Sequence, residues 1–106
     1  MIYLDNNATT PLDPSVFDAM RPYLETHFAN PSSGSAAARQ AQRAIARARE
    51  QVAHLLGCEP QEIIFTSGGT ESNNAAIDSA KMLWPQRKHL VIATTEHPAV
   101  IEPAKR

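Results

Sequence analysis

Between Ile63 and Asn74 an apolar, β-branched run stops at a pair of glycines and passes at once into a helical pattern. The residues are Ile63-Ile64-Phe65-Thr66, then Ser67-Gly68-Gly69-Thr70, then Glu71-Ser72-Asn73-Asn74, with Ala75, Ala76, Ala80 and Leu83 as the apolar helix positions. A strand, a glycine turn and a helix in this order aim several backbone N–H groups at one spot ahead of a helix N-terminus. Such a spot attracts an anion, and phosphate suits it well. The missing Cβ atoms let an oxygen approach the backbone, and Thr70 adds a hydroxyl donor. A phosphomonoester carries about −1.5 to −2 charge at neutral pH. Each hydrogen bond to a charged group contributes roughly 1.5–3 kcal/mol, and a helix terminus adds up to about 2 kcal/mol. No lysine follows the glycines at the step a nucleotide P-loop needs, and the third glycine of a dinucleotide fingerprint is absent. The pattern by itself leaves a plain strand-to-helix turn open beside the phosphate reading.

The rest of the chain alternates in the same way. Met1 to Leu4 reads as a short extended entry, and Asp5 to Pro11 as a polar loop whose residues bond their own backbone. Asp13-Pro14 is a helix start, with Val16, Phe17, Met20 and Leu24 on one face; Pro22, late in the run, is expected to kink or weaken it. His27 to Ser35 is a loop. A long helix is predicted from about Ser35 to Leu56, on Ala41, Ala44, Ile45, Ala48, Val52, Leu55 and Leu56, and Gly57 ends it. Gln61 to Thr66 and His89 to Thr94 are predicted as buried parallel strands, separated by a helix to about Trp84, and a further helix opens at Pro98. The alternation predicts an α/β fold with a parallel sheet and right-handed crossovers. The expected organisation is an arm over 1–13, two helices over 14–56, and the start of a parallel sheet with the anion-binding turn over 61–106. Two strands are too few for a sheet covered on both faces, so the chain reads as the opening piece of a larger α/β protein.

At 106 residues there is room for at most one domain with a small core. A formal net charge of −1 argues against nucleic-acid or membrane-surface binding through bulk charge. A single cysteine, Cys58, excludes an intrachain disulfide. The first residues lack the pattern of a signal peptide, and no run approaches the ~20 apolar residues of a membrane span. The cytoplasm is the expected compartment.

His97 follows the second predicted strand, at the carboxyl end where open α/β sheets bind ligands. An imidazole there can stack on an aromatic ligand or move a proton near neutral pH; on pattern alone, a surface histidine capping a helix is the better reading. Asp5-Asn6-Asn7 reads first as a turn. Arg39, Arg43 and Arg47 make a basic stripe at helical spacing, with no interleaved aromatics, and suit a solvated face better than a nucleic-acid contact. Cys58 has no basic neighbour in sequence and reads as a small filler. His27, His54 and His89 form no metal-ligand spacing with it, so no metal site is expected.

Four blocks in order carry a wider resemblance: Tyr3-Leu4-Asp5-Asn6-Asn7-Ala8-Thr9-Thr10-Pro11, Phe28-Ala29-Asn30-Pro31-Ser32-Ser33, Glu62 to Asn74, and Thr95-Glu96-His97-Pro98-Ala99-Val100. Together they resemble the first third of the cysteine desulfurases, in the class V aminotransferase group of fold-type I pyridoxal-phosphate enzymes. The resemblance covers nearly the whole chain. It implies part of a three-layer α/β/α large domain with mostly parallel strands. It also implies a reaction, in which pyridoxal 5'-phosphate held on a lysine takes L-cysteine to L-alanine while a mobile cysteine accepts the sulfur. By motif, Gly69 and Thr70 would bind the cofactor phosphate, and His97 would stack on the ring and assist proton transfer as a catalytic residue. Asn6, Asn7 and Ala8 would lie on the substrate side.

The resemblance further implies a homodimer in the full-length form, with sulfur-acceptor or scaffold proteins as partners in iron–sulfur cluster assembly, and neither nucleic acid nor membrane. The family's Schiff-base lysine, pyridine-nitrogen acid, carboxylate-binding arginine and sulfur-accepting cysteine come later in its sequences, and Lys81, Lys88, Lys105 and Cys58 do not align with them. The chain alone is therefore expected to be inactive. Where similar proteins carry a His, an aromatic and a Gly, this chain has Gly34-Ser35-Ala36-Ala37-Ala38. A selenocysteine lyase, another class V aminotransferase, and a non-enzymatic domain binding a phosphorylated ligand are the other readings.

Overall fold

A computed structural model describes residues 2–106; Met1, the first residue of the expected extended entry, lies outside them. The elements are α1 (Pro14–Glu25), α2 (Ala36–Leu56), a 3₁₀ turn at Pro60–Glu62, α3 (Gly69–Leu83) and α4 (Pro98–Ala104). They divide between two compact units that meet in sequence at Ile63 and Ile64.

In the first unit the helix ends follow from local chemistry. Asp13 caps α1, its carboxylate accepting from the Ser15 N–H at 2.8 Å and the Ser15 hydroxyl at 2.5 Å. These bonds, the hydroxyl's first, hold the Asp13 carboxyl below its ordinary value. Pro22 does not end the helix, which runs on to Glu25. It sits in the last turn, where its own carbonyl accepts from the Thr26 and His27 N–H groups at 2.9 and 2.7 Å. No residue of α1 is buried: the expected apolar face is present, but Val16, Phe17 and Met20 are 43–45% exposed and Leu24 is 65% exposed.

Ser35 caps α2, its hydroxyl accepting from the Ala38 N–H at 3.1 Å. Ala38 is fully buried, so the Gly34–Ala38 segment supplies a cap and a small packing residue. At the other end Gly57 adopts φ 69°, ψ 36°. The Cys58 N–H reaches back to the Ala53 carbonyl at 3.0 Å and the Gly57 N–H to that of His54 at 3.4 Å, which is the paired closure of a Schellman end. The chain then turns so that the 3₁₀ turn packs on α2. Ala38, Ala41, Ala53 and Ile63 are the buried hydrophobic residues of this unit. The Arg49 guanidinium donates to the Ile63 carbonyl, fixing the residue that follows the 3₁₀ turn to the helix. Arg39, Arg43 and Arg47 are exposed, as a solvated face requires, and Cys58 is half-buried.

In the second unit α4 packs on α3, burying Ala99 and Pro103, and Lys81 donates to the Pro103 carbonyl at 3.4 Å. The predicted strands at 61–66 and 89–94 are not formed among the described residues. Residues 60–62 take the 3₁₀ turn, and no strand or bridge forms over 63–66 or 89–94. A β-branched run sets a preference, but a strand exists only as a ladder with a neighbour. The described residues supply no such neighbour to either segment. Glu59 and Pro60 also bias the first residues toward a turn: the Glu62 carboxylate accepts from the Glu59 N–H at 2.8 Å, half of a capping box.

The left-handed Gly57 gives a direct test. Gly57→Ala places a Cβ at positive φ with open space around it, so the cost is conformational alone and should lower stability by about 1 kcal/mol. Denaturant titration followed by helix circular dichroism measures it.

Candidate functional site

The turn at 66–70 is shaped from behind by the helix it precedes. The Ser67 N–H and hydroxyl both donate to one Glu71 carboxylate oxygen, at 2.6 and 2.7 Å. The Thr66 and Ser72 hydroxyls bond each other at 2.7 Å, and each lies 3.2 Å from the Gly68 carbonyl. One residue further on, Asn74 donates to the Thr70 carbonyl at 2.8 Å, and Arg106 donates to Asn74 in turn. The clasp resembles a capping box moved one position outward, with the first-turn glutamate reaching past the N-cap Gly68 to Ser67.

This arrangement decides where the free donors lie. The first N–H groups of any helix lack an intrahelical acceptor, which here means Gly69, Thr70 and Glu71. Gly68 has no side chain to cap them. Gly68 itself is extended, at φ 160°, ψ −179°, a conformation open to any residue. A Cβ built at Gly68 or Gly69 meets nothing within 4 Å. Neither backbone strain nor crowding by the protein demands these glycines. They leave room in front of the amides, and Gly69 and Thr70 are exposed there. Orphan amides, a hydroxyl and unobstructed approach make a donor set that fits a phosphate. The opposing term is Glu71, whose negative charge shares the same helix terminus; its carboxylate is engaged by the Ser67 N–H and hydroxyl.

His97 is the N-cap of α4, its Nδ1 accepting from the Ala99 N–H at 3.1 Å. The capping role that the pattern alone favoured is therefore real. An accepting Nδ1 puts the proton of a neutral ring on Nε2, and the exposed ring keeps that N–H for a further partner. Thr70 and His97 thus stand at the starts of two helices that pack together. Asn6, Asn7 and Ala8 belong to the first unit. They form the exposed tip of a closed loop in which Ala8 and Thr9 N–H groups donate to the Asp5 carbonyl at 3.0 and 3.3 Å. The Tyr3 hydroxyl braces the loop from within, 2.9 Å from the Asp5 carbonyl and 2.6 Å from the Thr9 hydroxyl. Among the described residues no cluster of His, Cys, Asp or Glu is placed to hold a metal ion.

A family model described as aminotransferase class-V matches residues 2–106. The chain belongs to that family. It is 49% identical over 106 residues to a cysteine desulfurase of Nostoc sp., covering 100% of this chain and 26% of that protein. It is 52% identical over 103 residues to a cysteine desulfurase of Rattus norvegicus, covering 95% of this chain and 23% of that one. A solved structure described as a NifS-like protein superposes with a TM-score of 0.87 at 39% identity, over 98% of this chain and 29% of that one. The chain thus spans about a quarter of the length of the curated relatives it matches. The fold class expected from the resemblance stands, as a part of the α/β/α domain of the fold-type I enzymes.

Sequence reasoning named Gly69 and Thr70 but passed over the clasp. Its signal was present as a serine and a glutamate four residues apart, astride the glycines, with the carboxylate in the first helical turn.

The clasp should respond to acid. Bonds from the Ser67 N–H, then from its hydroxyl, hold the Glu71 carboxyl below the ordinary value of 4.5. A depressed carboxylate contributes stability that is complete above its unfolded value and is lost as pH falls through the folded one. The Ser67 amide proton resonance should therefore titrate with a midpoint below 4.5, and Glu71→Gln should abolish that titration.

Proposed function

We propose that this chain supplies the cofactor-phosphate site of a pyridoxal 5'-phosphate-dependent cysteine desulfurase that converts L-cysteine to L-alanine. The observation that carries the reading is the open donor set at Gly69 and Thr70, in a chain about half identical to cysteine desulfurases along its whole length. In this reading the Gly69 and Thr70 amides and the Thr70 hydroxyl hold the phosphate. The cofactor, when bound, supplies an electron sink for bond breaking at the substrate Cα. His97 lies against its ring and moves a proton at Nε2, the nitrogen its cap leaves unused. Asn6, Asn7 and Ala8 border the substrate, on a loop stiffened by Tyr3.

The residues that anchor the cofactor covalently and accept the sulfur are assigned to the part of the protein beyond this quarter, so the segment alone does not turn over L-cysteine. The complete enzyme is proposed as a cytoplasmic homodimer that passes sulfur to an acceptor or scaffold protein for iron–sulfur cluster assembly. Among the described residues no helix is long and apolar enough to cross a membrane. Sulfur transfer is preferred over selenocysteine lysis or amino transfer because the relatives named above are cysteine desulfurases.

Pyridoxine 5'-phosphate tests the phosphate site cleanly, because it lacks the aldehyde that would react with any lysine. It should shift the Gly69 and Thr70 amide resonances saturably, whereas pyridoxine without phosphate should not. Thr70→Val should weaken binding by about tenfold, the equivalent of one hydrogen bond to a charged group. Equal binding of both compounds would overturn the assignment. In the complete enzyme, His97→Ala should lower the rate of L-cysteine desulfuration by about 10²-fold or more, as expected for loss of a proton-transfer group.

A further inference from the structure

The far half of α3 carries a second feature that the phosphate turn does not use. Lys81 lies twelve residues along the helix from Gly69, about 18 Å at the helical rise. There α3, the segment after it and the end of α4 enclose a cleft of about 650 Å³. Lys81, Trp84, Arg87, Lys88, His89 and Arg106 line it. The lining includes no aspartate or glutamate.

Three of the cations in this cleft contact neutral groups. Lys81 donates to the Pro103 carbonyl, and Arg106 to the side-chain oxygen of Asn74. The Arg87 guanidinium sits over the Trp84 ring, 5.5 Å from its centroid, while the Arg87 N–H closes the turn onto the Trp84 carbonyl at 2.9 Å. The neighbouring Glu102 is engaged by Lys105 at 2.7 Å. Lys81, Arg87, Lys88 and Arg106 therefore bring four positively charged side chains to one concavity, and among the described residues no aspartate or glutamate is ion-paired with any of them. At physiological salt the screening length is about 8 Å, so charges gathered within one cleft act together. Their mutual repulsion is relieved by an anion, and the relief grows with the anion's charge.

We propose that this cleft is a binding site for a small, multiply charged anion bearing several phosphate or carboxylate groups. It is distinct from the site at Thr70. The guanidinium of Arg87 offers a planar fork to such groups, and its seat on Trp84 lowers the cost of ordering it. The confined volume favours a small molecule over a nucleic acid, whose binding needs charge spread along a stripe.

Trp84 is the single tryptophan of the chain and lies in the cleft, so its fluorescence reports directly. The chain is titrated at 0.15 M salt with inorganic pyrophosphate and, separately, with citrate; chloride at matched ionic strength is the control. The expected result is a saturable change with at least one of the two, at a midpoint below about 1 mM, an affinity of roughly 4 kcal/mol. The arm that saturates at lower concentration distinguishes phosphate from carboxylate chemistry. Arg87→Gln with Lys88→Gln, both exposed, should raise the midpoint at least tenfold. Because that change alters the surroundings of Trp84, the Leu90 amide resonance is followed as a second readout. Arg39→Gln with Arg43→Gln, in the other unit, should leave the midpoint unchanged. A response that stays linear, or that survives in the Arg87/Lys88 variant, overturns the proposal. So does one lost in Thr70→Val, which would locate the anion at the turn and leave the cofactor reading standing.

Discussion

A helix cannot satisfy its own first amides, and at α3 the sequence leaves this shortfall facing outward. Ser67, Thr66 and Ser72 spend their hydrogen bonds on Glu71, on each other and on the Gly68 carbonyl. The turn is held closed without drawing on the N–H groups of Gly69 and Thr70. In an ordinary capping box Glu71 would accept from the Gly68 N–H, and a side chain at position 68 would cap the first turn; here Glu71 reaches one residue further out to Ser67 and Gly68 has no side chain to offer. Rigidity and donor availability therefore coexist in one turn.

His97 shows the same economy on a smaller scale. One ring nitrogen fixes the start of α4, and that bond orients the imidazole and sets its tautomer, leaving the other nitrogen for chemistry. A capping residue and a catalytic one are commonly treated as rival readings of a loop histidine. Here the cap is what would give a proton-transferring group a defined direction.

Much of the local structure was legible in the sequence because local chemistry determines it. Asp13-Pro14, Ser35 and Gly57 announced helix ends that the structure places within a residue, and the glycine pair announced the start of α3. The periodicity of Ala41, Ala44 and Ala48 was enough for α2. The strands at 61–66 and 89–94 were legible only as preferences, since pairing is a property of two segments and their register. The four ordered blocks made the family legible, and matches along the whole length agree with them. The Glu71 clasp went unread because four-residue spacing across a non-helical N-cap fits no standard motif. The cationic cleft went unread because Arg106 and Lys81 meet only through the packing of α4 on α3.

The interior of this chain is built almost wholly from alanine, with Ile63 and Pro103 as its larger members, while phenylalanine, tryptophan and most leucines remain at least two-fifths exposed. Methyl-sized side chains remove little apolar surface from water, so unfolding changes hydration only slightly. Its heat-capacity increment and denaturant slope scale with that newly wetted area. A chain packed in this way is expected to melt over a broad range of temperature, with a stability curve that is shallow rather than sharply domed.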